Sequence, residues 1–293
     1  MSILGDLVNA LSLGVVYALI AVSVGLVFGV LRQVNLAQGE VIAFGAYTLW
    51  ITRSLPAVAR VVVCVAACIA MSVAIQVLVF RPLRGASALT TLIVTFGLSY
   101  ALEAVWLIVF GSNGNAAASF ASLNNAAVSS IDLRWITFVE IGVGAVLFAG
   151  LVAVLYRSSL GMTMRAAAED PRTARLVGVR INRVVMWAFV FSGVTAAVVA
   201  ILTTVQSPLV TPGFGLSIII VALVGVVVGG IDSLGRATAG GLVIGFVSSL
   251  VAAVLPEQQM VFLPSLTFLF VIVVLLIRPA GLFTPRGSRV DRV

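Results

Sequence analysis

The residues able to do chemistry are few in this chain, and they sit inside or beside long apolar runs. One group, Asn35, Gln38, Gly39 and Glu40, interrupts the first run with two amides and a carboxylate. A second, Thr91, Thr95, Ser99 and Glu103, recurs every fourth residue and so shares one face of a helix. Hydroxyls, amides and carboxylates of this kind bind polar solutes and water. They offer no His, Lys or Asp pair from which a catalytic constellation could be built, so an enzyme is not expected. An ionisable group in hydrocarbon costs about 2.5–3.5 kcal/mol on insertion scales, so each such position asks for an explanation. Glu140 lies five residues inside Trp135, close enough to an outer surface to reach water, and is expected to be interfacial. Cys64 and Cys68 stand one turn apart on an apolar segment. With no further Cys or His they cannot complete a metal site, which leaves core packing.

Two of these groups admit a second account. The stretch around Asn35 to Glu40 either lines a water-filled path through unwound backbone or forms a turn outside the membrane beside Arg32. The hydroxyl stripe either faces a translocation path or forms an interhelical seam, each hydroxyl bonding its own i−4 carbonyl. Glu103 needs a partner or water in both cases.

The elements that must position these residues are membrane helices. The chain has 293 residues, 61% hydrophobic and 9% charged, with a mean hydropathy of +1.23. A soluble protein of average composition is about a quarter charged. Every base is arginine, since lysine and histidine are both absent. That removes a Walker A motif, a Schiff base, a Ser-His-Asp relay and a His-ligated zinc, and neither cofactor nor metal is implied. If ATP drives this protein, another chain must bind it.

A crossing helix needs about 20 apolar residues. Eight segments meet or approach that length: Leu7 to Leu31, Val61 to Phe80, Ala88 to Phe110, Trp135 to Tyr156, Val184 to Val205, Leu216 to Ile231, Ala237 to Leu255 and Met260 to Ile277. Val41 to Ile51 is too short unless its flanks join it. The expected fold is all-α and polytopic, with eight or nine transmembrane helices, one or two of them interrupted. The first segment lacks a basic n-region and is expected to remain as an anchor. Basic residues favour the cytoplasmic side. Placing the cluster of Arg157, Arg165, Arg172, Arg175, Arg180 and Arg183 inside, with the segment after Glu40 crossing, puts 14 arginines inside against Arg53, Arg60 and Arg134 outside. The N-terminus is then outside and the C-terminus cytoplasmic; a re-entrant short segment would flip the first helix. Arginines at helix ends are explained by topology, so nucleic acid is not an expected partner.

The segment 157–183 is the long polar connector. Asp170 is suited to cap a helix starting at Pro171, and Gly178 supplies the left-handed residue that ends it, continuing a helix from Gly161 to Glu169. Such a helix either transmits force from a soluble partner or rests on lipid headgroups. The outer loop 111–134, rich in Ser, Asn and Ala, is either a docking surface or a plain linker. A shift of 200 positions lays Val24, Gly25, Val27, Gly29, Ala37 and Gly45 over Val224, Gly225, Val227, Gly229, Ala237 and Gly245, which reflects either an internal repeat or composition alone. Gly25/Gly29, Gly225/Gly229 and Gly241/Gly245 form GxxxG pairs expected to serve helix packing.

Four stretches carry a family resemblance: the run through Val34-Asn35-Leu36-Ala37-Gln38-Gly39-Glu40, then Arg81-Pro82-Leu83-Arg84-Gly85-Ala86-Ser87, then Arg165 to Gly178, then Arg278-Pro279-Ala280-Gly281-Leu282-Phe283. Over nearly its whole length the chain resembles the permeases of the branched-chain amino acid ABC transporters, most closely the LivH-type subunit. The resemblance implies a single transmembrane permease domain, 1–293, in a bacterial inner membrane. It implies two ATP-binding cassette ATPase subunits inside, a second homologous permease subunit and an extracytoplasmic solute-binding protein. Hydrophobic amino acids would cross by alternating access. Arg165, Glu169, Asp170, Arg172, Arg175 and Gly178 match the ATPase-coupling region, and Asn35, Gln38, Gly39, Glu40, Thr91, Thr95, Ser99 and Glu103 would line the substrate path. Relatives often read Asn-Phe-Ala-His-Gly-Glu where this chain has Leu36 and Gln38, so a titratable group is missing there. Urea and short-chain amide permeases are similar in the same stretches, and an ion-coupled secondary transporter or channel is the alternative of another class.

Overall fold

The computed structural model describes residues 3–116, 127–128, 133–230, 234–278 and 281–283. Most of the loop 111–134, Arg286, Arg289 and Arg292, Pro279 and Ala280, and the side chains of Asp6 and Arg172 lie outside the described residues. Eleven helices run through the described residues: α1 (Ile3–Leu31), α2 (Gln38–Ile51), α3 (Ala57–Ile75), α4 (Ala88–Phe110), α5 (Trp135–Arg157), α6 (Ser159–Glu169), α7 (Pro171–Leu176), α8 (Ile181–Gln206), α9 (Phe214–Gly229), α10 (Leu234–Val254) and α11 (Leu263–Ile277). A π turn, Gln76–Phe80, extends α3, and a 3-10 turn, Glu257–Phe262, leads into α11. Seven of these segments are long and apolar enough to cross a membrane. Of the eight spans expected from the sequence, α9 alone falls short of that length: its 16 residues make about 24 Å of helix against a hydrocarbon core of about 30 Å, so it can cross only together with its flanking link.

The chain stops its helices with local chemistry. Ser87 caps α4, its Oγ accepting from the Thr90 amide at 3.1 Å, and Ser158 caps α6 by accepting from Gly161 at 3.0 Å. After α1 the backbone turns at Arg32, whose φ of +54° departs from helical geometry while its amide still bonds the Phe28 carbonyl at 2.8 Å. Residues 32–37 then form an unwound link into α2.

The bundle is layered around α1 and α8. Their neighbours α2, α3 and α9 complete one apolar core, including Leu19, Val24, Ile42, Phe189 and Ile219. α10 packs along α1 on one side and α9 on the other. A Cβ at Gly245 would lie 2.6 Å from Gly14 Cα, and one at Gly225 would lie 2.9 Å from Gly241 Cα. Two of the three GxxxG pairs therefore serve close helix approach, as expected. The first pair differs, since a Cβ at Gly29 would meet nothing within 4 Å. The helix pairs of the internal echo, α1 with α2 and α9 with α10, meet in this same bundle, and the second polar break falls at 231–233, outside the described residues. α4, α5 and α11 flank the core and keep most of their apolar surface exposed. Two short antiparallel pairs close the end away from α6 and α7: β1 (Asn115–Ala116) with β4 (Leu209–Val210), and β2 (Ala127–Val128) with β3 (Leu133–Arg134).

Candidate functional site: a buried polar junction and an arginine-rich elbow

α2 is the element that positions the first group of polar residues. At 14 residues it spans about 21 Å, too short to cross alone, and it is enclosed by α3, α4, α8 and α9. Asn35, Gln38 and Glu40 are each at most 1% exposed, so the break is buried in protein and is not a turn in water. Its depth follows from its partners. Gln38 Nε2 donates to Ser23 Oγ at 2.8 Å and to the Ser192 carbonyl at 3.3 Å. Ser23 lies eight residues before the end of α1, about 12 Å along the axis, and Ser192 lies eleven residues into α8, about 16 Å. The start of α2 therefore sits near mid-depth. Ser192 Oγ donates to the Ser23 carbonyl at 2.7 Å and Ser23 Oγ to the Ser192 carbonyl at 3.2 Å, locking α1, α2 and α8 at one level.

Glu40 occupies the first turn of α2, where the partial positive charge of a helix N-terminus favours a carboxylate. Its Oε1 accepts from Ser99 Oγ at 3.0 Å and its Oε2 from the indole Nε1 of Trp106 at 2.8 Å. The first turn of α9 closes over it. A Cβ at Gly39 would stand 2.2 Å from the Gly215 carbonyl oxygen, and one at Gly215 would stand 2.7 Å from Glu40 Oε1. Only glycine fits at this crossing of two helix starts. Glu103, half-buried on α4, lies within electrostatic reach of Glu40, with Oε1 3.4 Å from a Cβ placed at Gly213. Two carboxylates thus flank the N-terminus of α9.

The hydroxyl stripe on α4 faces this junction. Thr91, Thr95 and Ser99 are buried on the face toward α2, while Ile93, Phe96, Tyr100 and Ile108 on other faces are exposed. Only Thr91 bonds its i−4 carbonyl, that of Ser87, at 3.3 Å. Thr95 accepts from the Leu36 amide at 3.3 Å, satisfying unwound backbone, and Ser99 serves Glu40. An aromatic box adjoins the carboxylate: Phe44 stacks on Trp106 with centroids 5.5 Å apart, and Tyr47 on Phe110 at 4.1 Å. Among the described residues, the Tyr47 hydroxyl and Asn35 Oδ1 are buried with no hydrogen-bond partner. Ser23, Ser192, Trp106 and Gly215 were not among the candidates from sequence. Trp106 alone had a signal, because it continues the stripe one turn beyond Glu103.

One expectation needs correction and another holds. Glu140 does not reach water: it is 1% exposed, accepting from Gln206 Nε2, at the end of α8, at 2.7 Å and from Ser12 Oγ. α5 is flanked by α1 and α8 at that level, so nearness to the start of the helix did not bring it to water. Cys64 and Cys68 do pack in the core, their thiols against the Gly45 and Val41 carbonyls.

The polar connector forms an elbow. α6 ends at Asp170, whose extended backbone starts α7: Ala174 N bonds the Asp170 carbonyl at 3.0 Å, and Thr173 Oγ1 donates to its carboxylate. Gly178, with φ +86°, ends α7 by a Schellman turn in which Val179 N bonds the Ala174 carbonyl at 3.0 Å. Glu169, Asp170 and Arg175 are exposed, and so are Leu176 at 87% and Val177 at 75%. These two apolar tips were missed from sequence because they read as the ordinary end of a helix. Arg165 turns away from this tip, donating to the Leu155 carbonyl and lying over the Tyr156 ring at 4.9 Å. Beside the elbow, Arg84 donates to Asn182 Oδ1; partial burial, with Arg81 and Arg175 adding repulsion, holds its guanidinium below the usual arginine range. A positive, apolar-tipped surface of this kind suits an acidic partner.

A family model described as the permease component of branched-chain amino acid transport systems matches residues 7–278. The chain is 33% identical to the high-affinity branched-chain amino acid transport system permease protein BraD of Pseudomonas aeruginosa, with 95% of each chain covered. It is 29% identical to LivH of Escherichia coli K12, named likewise, over 95% of this chain and 94% of that one. A probable LivH from Methanocaldococcus jannaschii is 29% identical over 54% of this chain and 51% of its own. No solved structure matches. Seven apolar spans, a buried polar junction and a match across nearly all of the chain agree: it is a multi-pass membrane protein that belongs to the branched-chain amino acid transport permease family.

Proposed function

We propose that this chain is the membrane-crossing subunit of an ATP-driven importer for hydrophobic, branched-chain amino acids, and that α6 and α7 receive the motion of separate ATPase subunits. The observation that carries this is the elbow. A capped helix pair ending in Leu176 and Val177, both highly exposed, has an apolar tip that a groove on a soluble subunit would cover. The absence of lysine and histidine supports an energy source on another chain. With α2 and α9 each completing a crossing through the unwound link before it, the arginines place the elbow and the C-terminus in the cytoplasm and the N-terminus outside.

The junction supplies the path. Interrupted helices whose N-termini meet near mid-depth are the arrangement in which membrane carriers hold polar cargo groups. Glu103, half-buried beside the start of α9, would take the cargo's ammonium, while Glu40, already bonded to Ser99 and Trp106, fixes the wall. Asn35, Gln38, Gly39, Thr91, Thr95 and Ser99 form the rest of that wall, and the Phe44–Tyr47–Trp106–Phe110 box suits a branched aliphatic side chain. Alternating access would come from tilting α6 and α7 against the bundle, a second permease subunit completing the pore.

The test replaces Leu176 and Val177 together by serine and, separately, Glu169 and Arg175 by alanine. Loss of ATPase co-purification with the permease intact is expected; an unchanged complex would overturn the coupling role. Uptake of labelled leucine against urea by the reconstituted complex with its binding protein decides the cargo. Leucine is expected to be carried, and Glu103→Gln to lower its uptake about tenfold or more, the weight of one charge-assisted hydrogen bond.

A further inference from the structure

Between α5 and α10, over one side of α1, runs a groove distinct from the polar junction. Two adjoining cavities of about 370 Å³ each share Phe148 and Gly235 in their walls. One is lined by Val15, Leu19, Ile141 and Leu242, and the other reaches past Val30 and Val152 to Arg165. Val15 to Val30 is about 22 Å along α1, more than the roughly 15 Å of hydrocarbon in one leaflet. Gly29 opens the floor, since a Cβ there would meet nothing within 4 Å.

The groove changes character only at its arginine-rich end. There Arg165 folds back from α6 over Tyr156 and onto the Leu155 carbonyl. It stays exposed, and a guanidinium has five donors, so donors remain for a second partner. Exposed Arg157 stands at the same helix end. An apolar channel of leaflet length with a cation at one lip complements an amphiphile carrying its anion at one end.

We propose that this groove is a binding site for an anionic phospholipid, one acyl chain lying along α1 between α5 and α10 and the phosphodiester held by Arg165. Arg165 is thereby a headgroup ligand, and the elbow that Leu176 tips is anchored to the membrane surface at its other end. The occupancy needs only the bilayer and does not depend on which cargo is carried.

The test uses the assembled complex reconstituted in vesicles of equal phosphatidylglycerol and phosphatidylethanolamine, re-extracted in mild detergent, with retained lipid quantified by mass spectrometry. The wild-type complex is expected to keep phosphatidylglycerol in excess. Arg165→Gln should cut that preference about fivefold, the weight of one basic residue at an anionic surface. Gly29→Leu, which fills the floor, should lower retention of both lipids, while Gly150→Leu, on the open face of α5, should change neither. Equal retention of the two lipids by the wild type would overturn the proposal. So would a Gly29→Leu complex that keeps its lipid, or one that loses a protein subunit in its place, which would make the groove a protein interface. If Gly29→Leu fails to accumulate, the Arg165→Gln selectivity decides alone, because it leaves the packing of α1 untouched.

Discussion

Glu40 and Glu140 are both buried carboxylates, yet they do different things for the molecule. Glu40 is held by donors from one flanking helix, α4, and lies against the backbone of another, α9, so it fixes the wall of the polar junction. Trp106→Phe keeps the ring stack on Phe44 and removes only the indole donor. It is expected to cost about 1.5–3 kcal/mol, the range for hydrogen bonds to charged groups, read as a lower unfolding midpoint in detergent. Glu140 ties α5 to α1 and α8 through Ser12 and Gln206. Glu140→Ala would strand both partners, at about 1–3 kcal/mol each, while Glu140→Gln should recover part of that loss. Molecules of either variant that remain folded should carry leucine with unchanged selectivity, which uptake normalised to folded protein would check. Sequence position marked both carboxylates as costly in hydrocarbon, but it read Glu140 as reaching water and named no partner for either. Ser12, Ser23 and Ser192 are isolated polar residues in apolar runs, Gln206 reads as the polar end of its helix, and nothing local distinguishes a serine that bridges helices from one that bonds its own turn.

Among the elements, the long helices were legible because bilayer thickness imposes one ruler on every span. α2 was legible only as an anomaly: its length ruled out a simple crossing, but burial on every side depends on α3, α4, α8 and α9 and left no periodic trace. The bends of the elbow were legible, since Asp170, Pro171 and Gly178 encode them locally, whereas the exposure of Leu176 and Val177 is a tertiary fact. The contact between α2 and α9 sets the sharpest expectation at this scale. Gly39→Ala must push a methyl group into the Gly215 carbonyl, 2.2 Å away, and separate two helix starts. Overpacking of this kind costs about 1–3 kcal/mol or more, and here it also moves Glu40 away from Ser99. Reduced thermal stability and lost uptake should appear together. Gly29→Ala, facing open space, should leave both unchanged, and equal behaviour of the two variants would contradict the packing described.

For the whole molecule, α2 has consequences for how the chain is assembled. Gln38 bonds Ser23 of the preceding helix but finds its second acceptor 154 residues later, at Ser192, and the backbone that covers Glu40 belongs to α9. When α2 leaves the ribosome neither exists, and a 14-residue segment carrying a carboxylate has little reason to enter hydrocarbon unaided. Its docking is therefore a late event of biogenesis, conditional on synthesis of the second half. A chain stopped after α4 should leave a cysteine placed at Ala43 open to water-soluble maleimide, and extension through α9 should close it. The centre of this membrane protein is thus built last, around a helix that waits at the surface for the walls of its own chamber to be translated.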